Sequence, residues 1–233
     1  MITVIISVFN EIRNTFLSKI LYQFISDDFF EVICIDGGST DGTVELIKAE
    51  QVCVYVLPAS TRAARLNFGI KHANQDLILL QHPRSIISSQ GIALIKQQSE
   101  GFKWAGFTHQ FDHAHFFLKF ISWYSNHVRV KKKRIVYLDH CILINKASLS
   151  LKPMPDLAVF EDTALSMALR DQCKPVLLPE LVITSAIRFL DRGVYKHFLL
   201  NQWIKFLYFL KIDSKIINQI YEKKLNLNQS NKD

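Results

Sequence analysis

The segment that decides the fold, residues 32–43, reads VICIDGGSTDGT. An apolar, strand-like run ends at Asp36, and a polar, glycine-rich stretch then leads into a helical pattern. Glycine lets the backbone turn tightly and approach a ligand closely, so Asp36 is placed to accept hydrogen bonds from a base or a ribose. The alternative is that Ser39, Thr40 and Asp41 only cap the helix that follows. The segment does not have the Gly-x-Gly-x-x-Gly pattern of dinucleotide-binding loops.

The same alternation of strand and helix extends over the first half of the chain. Apolar, β-branched runs predict strands at 2–9, 31–35, 52–57 and 77–80. Apolar stripes at helical spacing predict helices at 12–24, 43–50 and 62–73. Strands that alternate with helices form a parallel sheet, whose ligands bind beyond the carboxyl ends of the strands. The polar, glycine-rich and charged residues of this half lie at those ends, in residues 9–11, 36–42, 58–62 and 81–85.

The second half is less regular. Its patterns predict extended segments at 102–111, 135–145, 176–178 and 182–189. They predict helices at 114–128, 160–170, 194–210 and 214–225, before a polar tail at 226–233. Because no linker rich in serine and glycine separates the halves, we predict one domain over residues 1–225. The expected fold class is α/β: a Rossmann-like, mixed but mainly parallel sheet flanked by helices, with a helical C-terminal extension.

Composition narrows the function classes. The chain has 233 residues, 49% of them hydrophobic, which excludes disorder for most of its length. Four scattered cysteines without a Cys-x-x-Cys pair argue against a zinc knuckle or a disulfide framework and favour a reducing compartment. The sequence shows neither a signal peptide nor an uncharged run long enough to cross a bilayer, so we expect a cytoplasmic protein. The net charge of +7 predicts an anionic partner: nucleic acid, anionic lipid or a nucleoside diphosphate.

Several segments, in this order, resemble family 2 glycosyltransferases of the GT-A fold. Three of them are residues 7–11 (SVFNE), residues 32–43 and residues 62–70 (RAARLNFGI). Residues 160–166 (FEDTALS) are similar to the Glu-Asp element of that family. Residues 184–189 (TSAIRF) resemble a small bacterial subgroup, the arsenosugar-type glycosyltransferases.

This resemblance spans residues 2–221 and implies both a fold and an activity. It implies a GT-A domain with a nucleotide-binding half at 1–85 and an acceptor-side half at 100–225. The implied activity is the transfer of a sugar from a nucleotide-sugar donor to an unidentified acceptor, with inversion. In such a transfer a carboxylate takes the proton of the acceptor hydroxyl while the nucleoside diphosphate leaves.

The resemblance also implies roles for individual residues. Asp162, beside Glu161, is the implied general base; the alternative is that both acids only favour the start of a helix. The residues implied to bind the nucleotide-sugar are Phe9, Asn10, Glu11, Asp36, Gly38, Arg62, Arg65, Asn67, Arg84 and Arg188. Arginine suits a diphosphate because its planar fork donates two parallel hydrogen bonds. For Arg62 and Arg65 the alternative is a solvated helix face.

One departure from the family's pattern concerns metal binding. The family carries an Asp-x-Asp element after the fourth strand, whereas residues 81–85 read QHPRS, with Gln81 and Pro83 at the aspartate positions. Hard cations prefer carboxylate oxygens, so we assign no metal ligands and expect Arg84 and Arg188 to neutralise the leaving diphosphate. Two alternatives stay open. Mn²⁺ or Mg²⁺ binds through substrate and water, or the protein is a catalytically silent relative that only binds nucleotide-sugars.

The helix predicted at 194–210 is aromatic on much of its circumference and carries interspersed lysines. It is either a core helix that packs on the sheet or a helix that lies on a membrane surface. With the basic run at 131–134, the second alternative would place the enzyme on the inner face of the membrane, near a lipid-linked or membrane-proximal acceptor. A nucleic-acid-binding protein is a third function class, but it rests on charge alone, without an aromatic stacking motif or a helix-turn-helix pattern.

Overall fold

Strand β1 (Ile2–Val8) lies at the centre of the parallel part of the sheet. The computed structural model of the protein describes residues 1–97, 102–150 and 153–222. All seven residues of β1 are buried, and β1 pairs in parallel with both β2 (Phe30–Asp36) and β4 (Leu77–Gln81). A fourth strand, β3 (Cys53–Val56), pairs in parallel with β2. Apolar, β-branched residues suit β1 because helices cover both faces of a parallel sheet.

Three helices connect these strands, as the apolar spacing predicts: α1 (Thr15–Ile25), α2 (Thr43–Ala49) and α3 (Arg62–His72). Side chains cap two of them. Asn14 Oδ1 accepts a hydrogen bond from the N–H of Phe16 at 3.1 Å, and Thr61 Oγ1 accepts one from the N–H of Ala64 at 3.1 Å. Each cap satisfies a backbone donor that the helix leaves free. The cap at Asn14 starts α1 later than the predicted start at residue 12.

The second half adds four strands and six helices to the described part of the chain. In order these are β5 (Ser85–Ile87), α4 (Ser89–Gln97), β6 (Trp104–Phe111), α5 (Phe116–Tyr124), β7 (Ile142–Asn145), α6 (Glu161–Arg170), β8 (Val176–Thr184), α7 (Ile187–Arg192), α8 (Val194–Phe209) and α9 (Ser214–Glu222). The sheet order is β3-β2-β1-β4-β7-β6-β8-β5. Strand β7 is antiparallel to β4 and β6, β8 is parallel to β6, and β5 is antiparallel to β8. The predicted α/β class is therefore confirmed, although the sequence analysis did not predict β5 and α4.

The strand predicted at 135–145 is wrong for its first seven residues, since only β7 is a strand. Apolar residues in this segment are buried, but their backbone groups bind side chains of α6 instead of a neighbouring strand. The N–H of Val136 donates to Ser166 Oγ at 3.0 Å, and the N–H of Leu138 donates to the carboxylate of Asp162 at 3.0 Å. The segment is apolar because it is buried, which resembles the pattern of a strand. Its backbone N–H groups nevertheless bind side chains and not a neighbouring strand.

The strands predicted at 176–178 and 182–189 are also corrected. They form one strand, β8, which passes through Pro179 with a bulge against β6. Proline is tolerated at a bulge because a ladder hydrogen bond is already interrupted there. The predicted second strand extends too far, because β8 ends at Thr184 and α7 begins at Ile187. Just before α7, the N–H of Ala186 donates to the carboxylate of Asp112 at 2.8 Å.

The remaining predicted helices agree with the structure apart from their ends. The helix predicted at 114–128 is α5, which continues as a π-helical turn, Ser125–Val130. Helix α9 matches the prediction at 214–225 as far as residue 222. Residues 223–225 and the polar tail predicted at 226–233 lie outside the described residues. Among the described helices, none combines the length and the apolar character that crossing a bilayer requires.

The close approach of α3 to the sheet gives a stability prediction. A Cβ atom at Gly69 would lie 2.5 Å from Cγ2 of Ile5 and 2.8 Å from Cδ1 of Ile35. We expect Gly69→Ala to lower the free energy of unfolding by about 1–3 kcal/mol through overpacking, although alanine alone favours a helix by about 1 kcal/mol. Lys71→Ala, on the exposed side of α3, should stay within about 0.5 kcal/mol of wild type. Urea unfolding measures both, and equal stability of Gly69→Ala and wild type would contradict the close packing.

Candidate functional site

The ends of β1 and β4 form a crevice. Strands β2 and β3 extend the sheet on one side of β1 and β4 extends it on the other, so the connection reverses its direction between β1 and β4. Ligands of open α/β sheets bind at such a switch point, outside the carboxyl ends of the strands. Here Glu11 follows β1 and Arg84 follows β4, and Arg84 Nε donates to Glu11 Oε2 at 2.8 Å. Both side chains are buried. The ion pair therefore closes the base of the crevice.

The loop after β2 forms one wall of this crevice. The side chain of Asp36 is fully buried and accepts hydrogen bonds from the N–H groups of Gly38 and Ser39, at 2.8 and 2.7 Å, and from the Ser39 hydroxyl. Gly38 has a φ of +93°, which favours glycine. Asn10, after β1, binds the same loop, since its N–H donates to Ser39 Oγ at 2.8 Å and its Oδ1 accepts from the N–H of Thr40 at 3.1 Å. Asp36 and Asn10 thus shape this wall.

Two of the residues predicted to bind the donor hold the loops together from behind. Arg65 is buried, and its guanidinium donates to Ser7 Oγ at 2.8 Å and to the carbonyl of Ser60 at 2.6 Å. Asn67 exchanges two hydrogen bonds with the backbone of Met154, at 2.8 and 3.2 Å. Phe9 lies half-buried at the end of β1. The structure places all three beside the crevice and outside the lining of the cavity described next.

A cavity of about 520 Å³ opens from the crevice towards α5, α7 and α8. Its charged lining has five cations and two acids: Arg62, Arg84, Arg129, Arg188, Lys205, Asp139 and Asp162. Four of these, Arg62, Arg84, Arg188 and Asp162, are among the predicted site residues. Burial, followed by the charge of Arg129, lowers the pKa of Lys205 to about 8. The excess of positive charge predicts an anionic ligand.

Two arginines of the cavity have unused donors. Arg84 Nη1 and Arg188 Nε are buried, and neither has a hydrogen-bond partner among the described residues. Arg188 Nη1 donates a long hydrogen bond, 3.5 Å, to the hydroxyl of Tyr221. Buried polar groups are nearly always paired, so these two donors, together with the positive charge of the lining, favour an anionic ligand. Arg188 reaches the cavity from α7 and not from the strand in which the sequence placed it.

The predicted acids lie at the start of α6, where they have different environments. Glu161 is fully buried and forms an ion pair with Nε of Arg62, which is one-third exposed. Asp162 lines the cavity, and its oxygens accept hydrogen bonds from the N–H groups of Leu138 at 3.0 Å and Thr163 at 2.7 Å. Burial, followed by the negative charge of Glu161, raises the pKa of Asp162 to about 6. A carboxyl group with this pKa can accept a proton near neutral pH.

An aromatic contact positions the start of α6. Phe160, the residue before the helix, has a left-handed backbone with φ of +66°. Its ring lies 4.5 Å, between centroids, from the ring of Tyr208 on α8. A left-handed backbone is uncommon at a residue other than glycine, and it needs support from the surrounding structure. The packing on Tyr208 therefore helps to hold Asp162 at the cavity.

Asp139 is an acid that the sequence analysis missed. Its side chain is 29% exposed to the cavity, its Oδ2 lies 3.8 Å from Nε2 of His109, and its Oδ1 has no partner in the described chain. Burial alone would raise the pKa of Asp139, but the neighbouring His109, His140 and Arg129 outweigh it and lower this pKa. No signal in the sequence singled it out, because it falls within the segment that was predicted to be a strand.

The histidines around Asp139 are neutral. Burial lowers the pKa of His109 to about 4 and also lowers the pKa of His140. His140 Nδ1 lies 2.8 Å from the carbonyl of Phe107, so Nδ1 carries the proton. His140 Nε2 then accepts from the hydroxyl of Ser125 at 2.7 Å. Asp139 is consequently not held in a histidine ion pair at neutral pH.

The residues at the Asp-x-Asp position do not fit a divalent cation. Gln81 is fully buried, and its amide donates to the carbonyls of His82 and Ser85. Pro83 has no ligand atom. Burial, followed by the charge of Arg62, lowers the pKa of His82 well below its usual value, and a lone neutral imidazole is a poor ligand for Mg²⁺. Within the described ranges, no cluster of three or more His, Cys, Asp or Glu side chains could hold a metal ion.

Comparisons with known proteins agree with this fold. A model described as "Glycosyl transferase family 2" matches residues 3–82, and no curated protein matches the sequence. One similar structure is S. aureus TarS 1-349 in complex with UDP-GlcNAc (15% identity, TM-score 0.60, 79% of this chain and 58% of that chain). A second is the mannosyltransferase PcManGT from Pyrobaculum calidifontis with GDP-Man and Mn²⁺ (14% identity, TM-score 0.59, 78% and 56%).

A third similar structure is glucosyl-3-phosphoglycerate synthase from Mycobacterium tuberculosis with Mn²⁺, UDP and glucosyl-3-phosphoglycerate (14% identity, TM-score 0.54, 79% of this chain and 71% of that chain). The matched region spans 58% and 56% of the lengths of the first two structures. At these identities the likeness establishes the fold, and the GT-A architecture expected from the sequence is confirmed.

The buried ion pair at the crevice gives a second stability prediction. Glu11→Gln leaves Arg84 buried without its counter-charge, so we expect a loss of about 3–5 kcal/mol in the free energy of unfolding. The double variant Glu11→Gln/Arg84→Gln removes both charges and should recover at least about 1 kcal/mol. As a control, Lys96→Gln breaks the exposed pair with Asp27 and should cost at most about 1 kcal/mol. Urea unfolding of wild type and the three variants measures this, and a double variant no more stable than Glu11→Gln would contradict the coupling.

Proposed function

We propose that the protein is a glycosyltransferase that moves a sugar from a nucleoside-diphosphate-sugar to an acceptor hydroxyl, with inversion at the anomeric carbon. The observation that carries the proposal is one cavity, at the switch point of the sheet, with both unpaired arginine donors and an acid of raised pKa. The arginine donors suit a diphosphate, and the acid with the raised pKa suits a general base. The family model over residues 3–82 and the GT-A fold support the same activity.

The donor would bind across the crevice. We place its nucleoside against the loops after β1 and β2, where Phe9, Asn10, Asp36 and Gly38 lie, and its diphosphate against the unpaired donors of the cavity. Two of the similar structures are complexes with UDP-GlcNAc and with GDP-Man, which supports the nucleotide-sugar class. The strand ends are also the usual ligand position in this type of sheet.

Asp162 is our candidate for the base. The acceptor oxygen forms the new bond to the anomeric carbon, and its proton passes to the carboxylate of Asp162. The bond from that carbon to the diphosphate breaks, and the diphosphate leaves with the electron pair. Asp162 suits this role because its Oδ2, which accepts the N–H of Leu138, keeps a lone pair for the acceptor proton, while Thr163 holds Oδ1 through its N–H and its hydroxyl. Glu161 acts behind it, by fixing Arg62 and by raising the pKa of Asp162.

Arginine side chains would stabilise the leaving group. The diphosphate gains negative charge as the glycosidic bond breaks, and a cation held in place beforehand lowers that barrier. Arg188 and Arg84 both line the cavity, and each has a buried donor without a partner among the described residues. The residues at the Asp-x-Asp position are unsuited to a metal ion, so no step of the proposed mechanism uses one.

The donor site is tested by calorimetric titration with UDP-sugars and GDP-sugars, in EDTA and in Mn²⁺. We expect binding in EDTA, because the arginines supply the charge. Arg188→Ala should weaken it about 10- to 150-fold, as expected for a lost charged hydrogen bond of about 1.5–3 kcal/mol, with a smaller loss in Arg84→Ala. The control Arg170→Ala, at the far end of α6 and outside the cavity lining, should bind as wild type does.

Two outcomes of this titration would contradict the proposal. If no nucleotide-sugar binds, the placement of the donor is wrong. If binding strictly requires Mn²⁺ and Arg188→Ala binds normally, arginine does not replace the metal, and the cation is held through substrate and water.

The base is tested with Asp162→Asn, which keeps the shape of the side chain and removes the proton acceptor. We expect transfer to fall about a hundredfold or more while donor affinity persists. The wild-type rate should rise with pH and reach half its maximum near pH 6, because the carboxyl group must be ionised and its pKa is raised to about 6. Asp171→Asn, at the exposed end of α6, is the matched control.

The variant Asp139→Asn shows which of the two carboxylates of the cavity acts as the base. A large loss of turnover there, with Asp162→Asn nearly as active as wild type, would move the base to Asp139. Donor binding without any transfer in the wild type would establish the catalytically silent relative instead.

A further inference from the structure

Helices α5 and α8 expose a continuous set of large apolar side chains, the aromatic face, which consists of Phe116, Phe120, Trp123, Leu199, Trp203 and Phe206. Their exposed fractions run from 44% for Phe120 to 79% for Phe116. The two helices touch, since the ring of Phe117 lies 5.0 Å from the rings of both Tyr195 and Phe198. Single exposed apolar residues are ordinary, but a contiguous set on a folded protein marks an interaction surface.

Helix α8 has two apolar sides, and only one of them packs on the protein. Val194, His197 and Ile204 are buried, and Lys205 on the same side lines the cavity. Leu199, Trp203 and Phe206 lie on the opposite side, because they recur at helical spacing. A helix that is apolar all round is normally covered on all sides. The outer side of α8 therefore lacks its partner within the described part of the chain.

Charge indicates which partner covers the aromatic face. Neither α5 (FFLKFISWY) nor α8 (VYKHFLLNQWIKFLYF) contains an acidic residue. Both helices carry an exposed lysine, Lys119 on α5 and Lys196 on α8, and three more follow the π-helical turn after α5, at positions 131–133. A second copy docked through the same face would bring the lysines of the two helices together, and neither helix supplies an acid. An anionic bilayer matches both features, since aromatic side chains sit at the headgroup level and lysines bind the headgroups.

We propose that the aromatic face docks on an anionic lipid bilayer. The face is continuous with the cavity, because Phe120 belongs to the face and also lines the cavity. Resting on the proposed transferase function, the same geometry presents the cavity to the membrane, so the acceptor is a hydroxyl carried on a lipid. The docking itself needs only the surface chemistry.

The docking is tested by sedimentation with vesicles of phosphatidylcholine alone and with about 30% phosphatidylglycerol. The tryptophans report directly, because Trp104 is fully buried while Trp123 and Trp203 are each 52% exposed. We expect binding to the anionic vesicles, a blue shift of tryptophan emission on binding, and weaker binding in 0.5 M salt through screening.

The variant Leu199→Ser/Phe206→Ser keeps both reporter tryptophans and removes two apolar contacts that lie outside the cavity lining. We expect it to bind anionic vesicles at least tenfold more weakly, since two apolar side chains that the bilayer would bury are lost. The control Ile12→Ser/Tyr22→Ser changes two exposed apolar residues elsewhere on the surface and should bind as wild type does.

Three results would overturn the docking. The first two are wild type that stays in solution with anionic vesicles at low salt, and equal binding by both double variants. The third is a wild-type dimer, seen by light scattering, that is monomeric in Leu199→Ser/Phe206→Ser. Calorimetric donor titrations on the same preparations keep the two ideas separate. Normal donor binding without vesicle binding contradicts only the docking. Vesicle binding without donor binding contradicts only the transferase function.

Discussion

The complete burial of β1 between two parallel neighbours is the constraint on which the rest of the structure depends. It brings the ends of β1, β2 and β4 to one edge of the sheet, and the polar groups there have to be paired because little water reaches them. Arg65 binds Ser7 at the end of β1, and Arg84 binds Glu11 just beyond it. The crevice and its loops follow from satisfying these buried groups.

The charges of the cavity separate into a paired layer and an unpaired layer. Behind the cavity wall, the buried Glu11 and Glu161 each form an ion pair with an arginine. At the cavity wall itself, Arg188 has no acidic partner among the described residues, and the pKa of Asp162 is raised. Such an arrangement leaves positive charge for a ligand and one weakly acidic group for proton transfer. Arg84 belongs to both layers, because its Nε pairs with Glu11 while its Nη1 has no partner among the described residues.

The sequence predicted what is local and missed what is brought together by folding. Strands and loops of the first half follow from periodicity and from polar residues at strand ends, which are local signals. The pairs Glu11–Arg84 and Arg62–Glu161 join residues 73 and 99 positions apart, so no local pattern reveals them. Asp139 was hidden for another reason: its buried, apolar neighbours resemble a strand, although side chains of α6 satisfy their backbone groups.

The arginines of the cavity have a consequence for the conditions under which it keeps its charge. A bound divalent cation exchanges with the surrounding medium, so its occupancy falls when that ion becomes scarce. Guanidinium groups are part of the chain and stay protonated at any physiological pH. Arg84 and Arg188 therefore keep their positive charge in every folded copy, whatever the supply of manganese or magnesium in its surroundings.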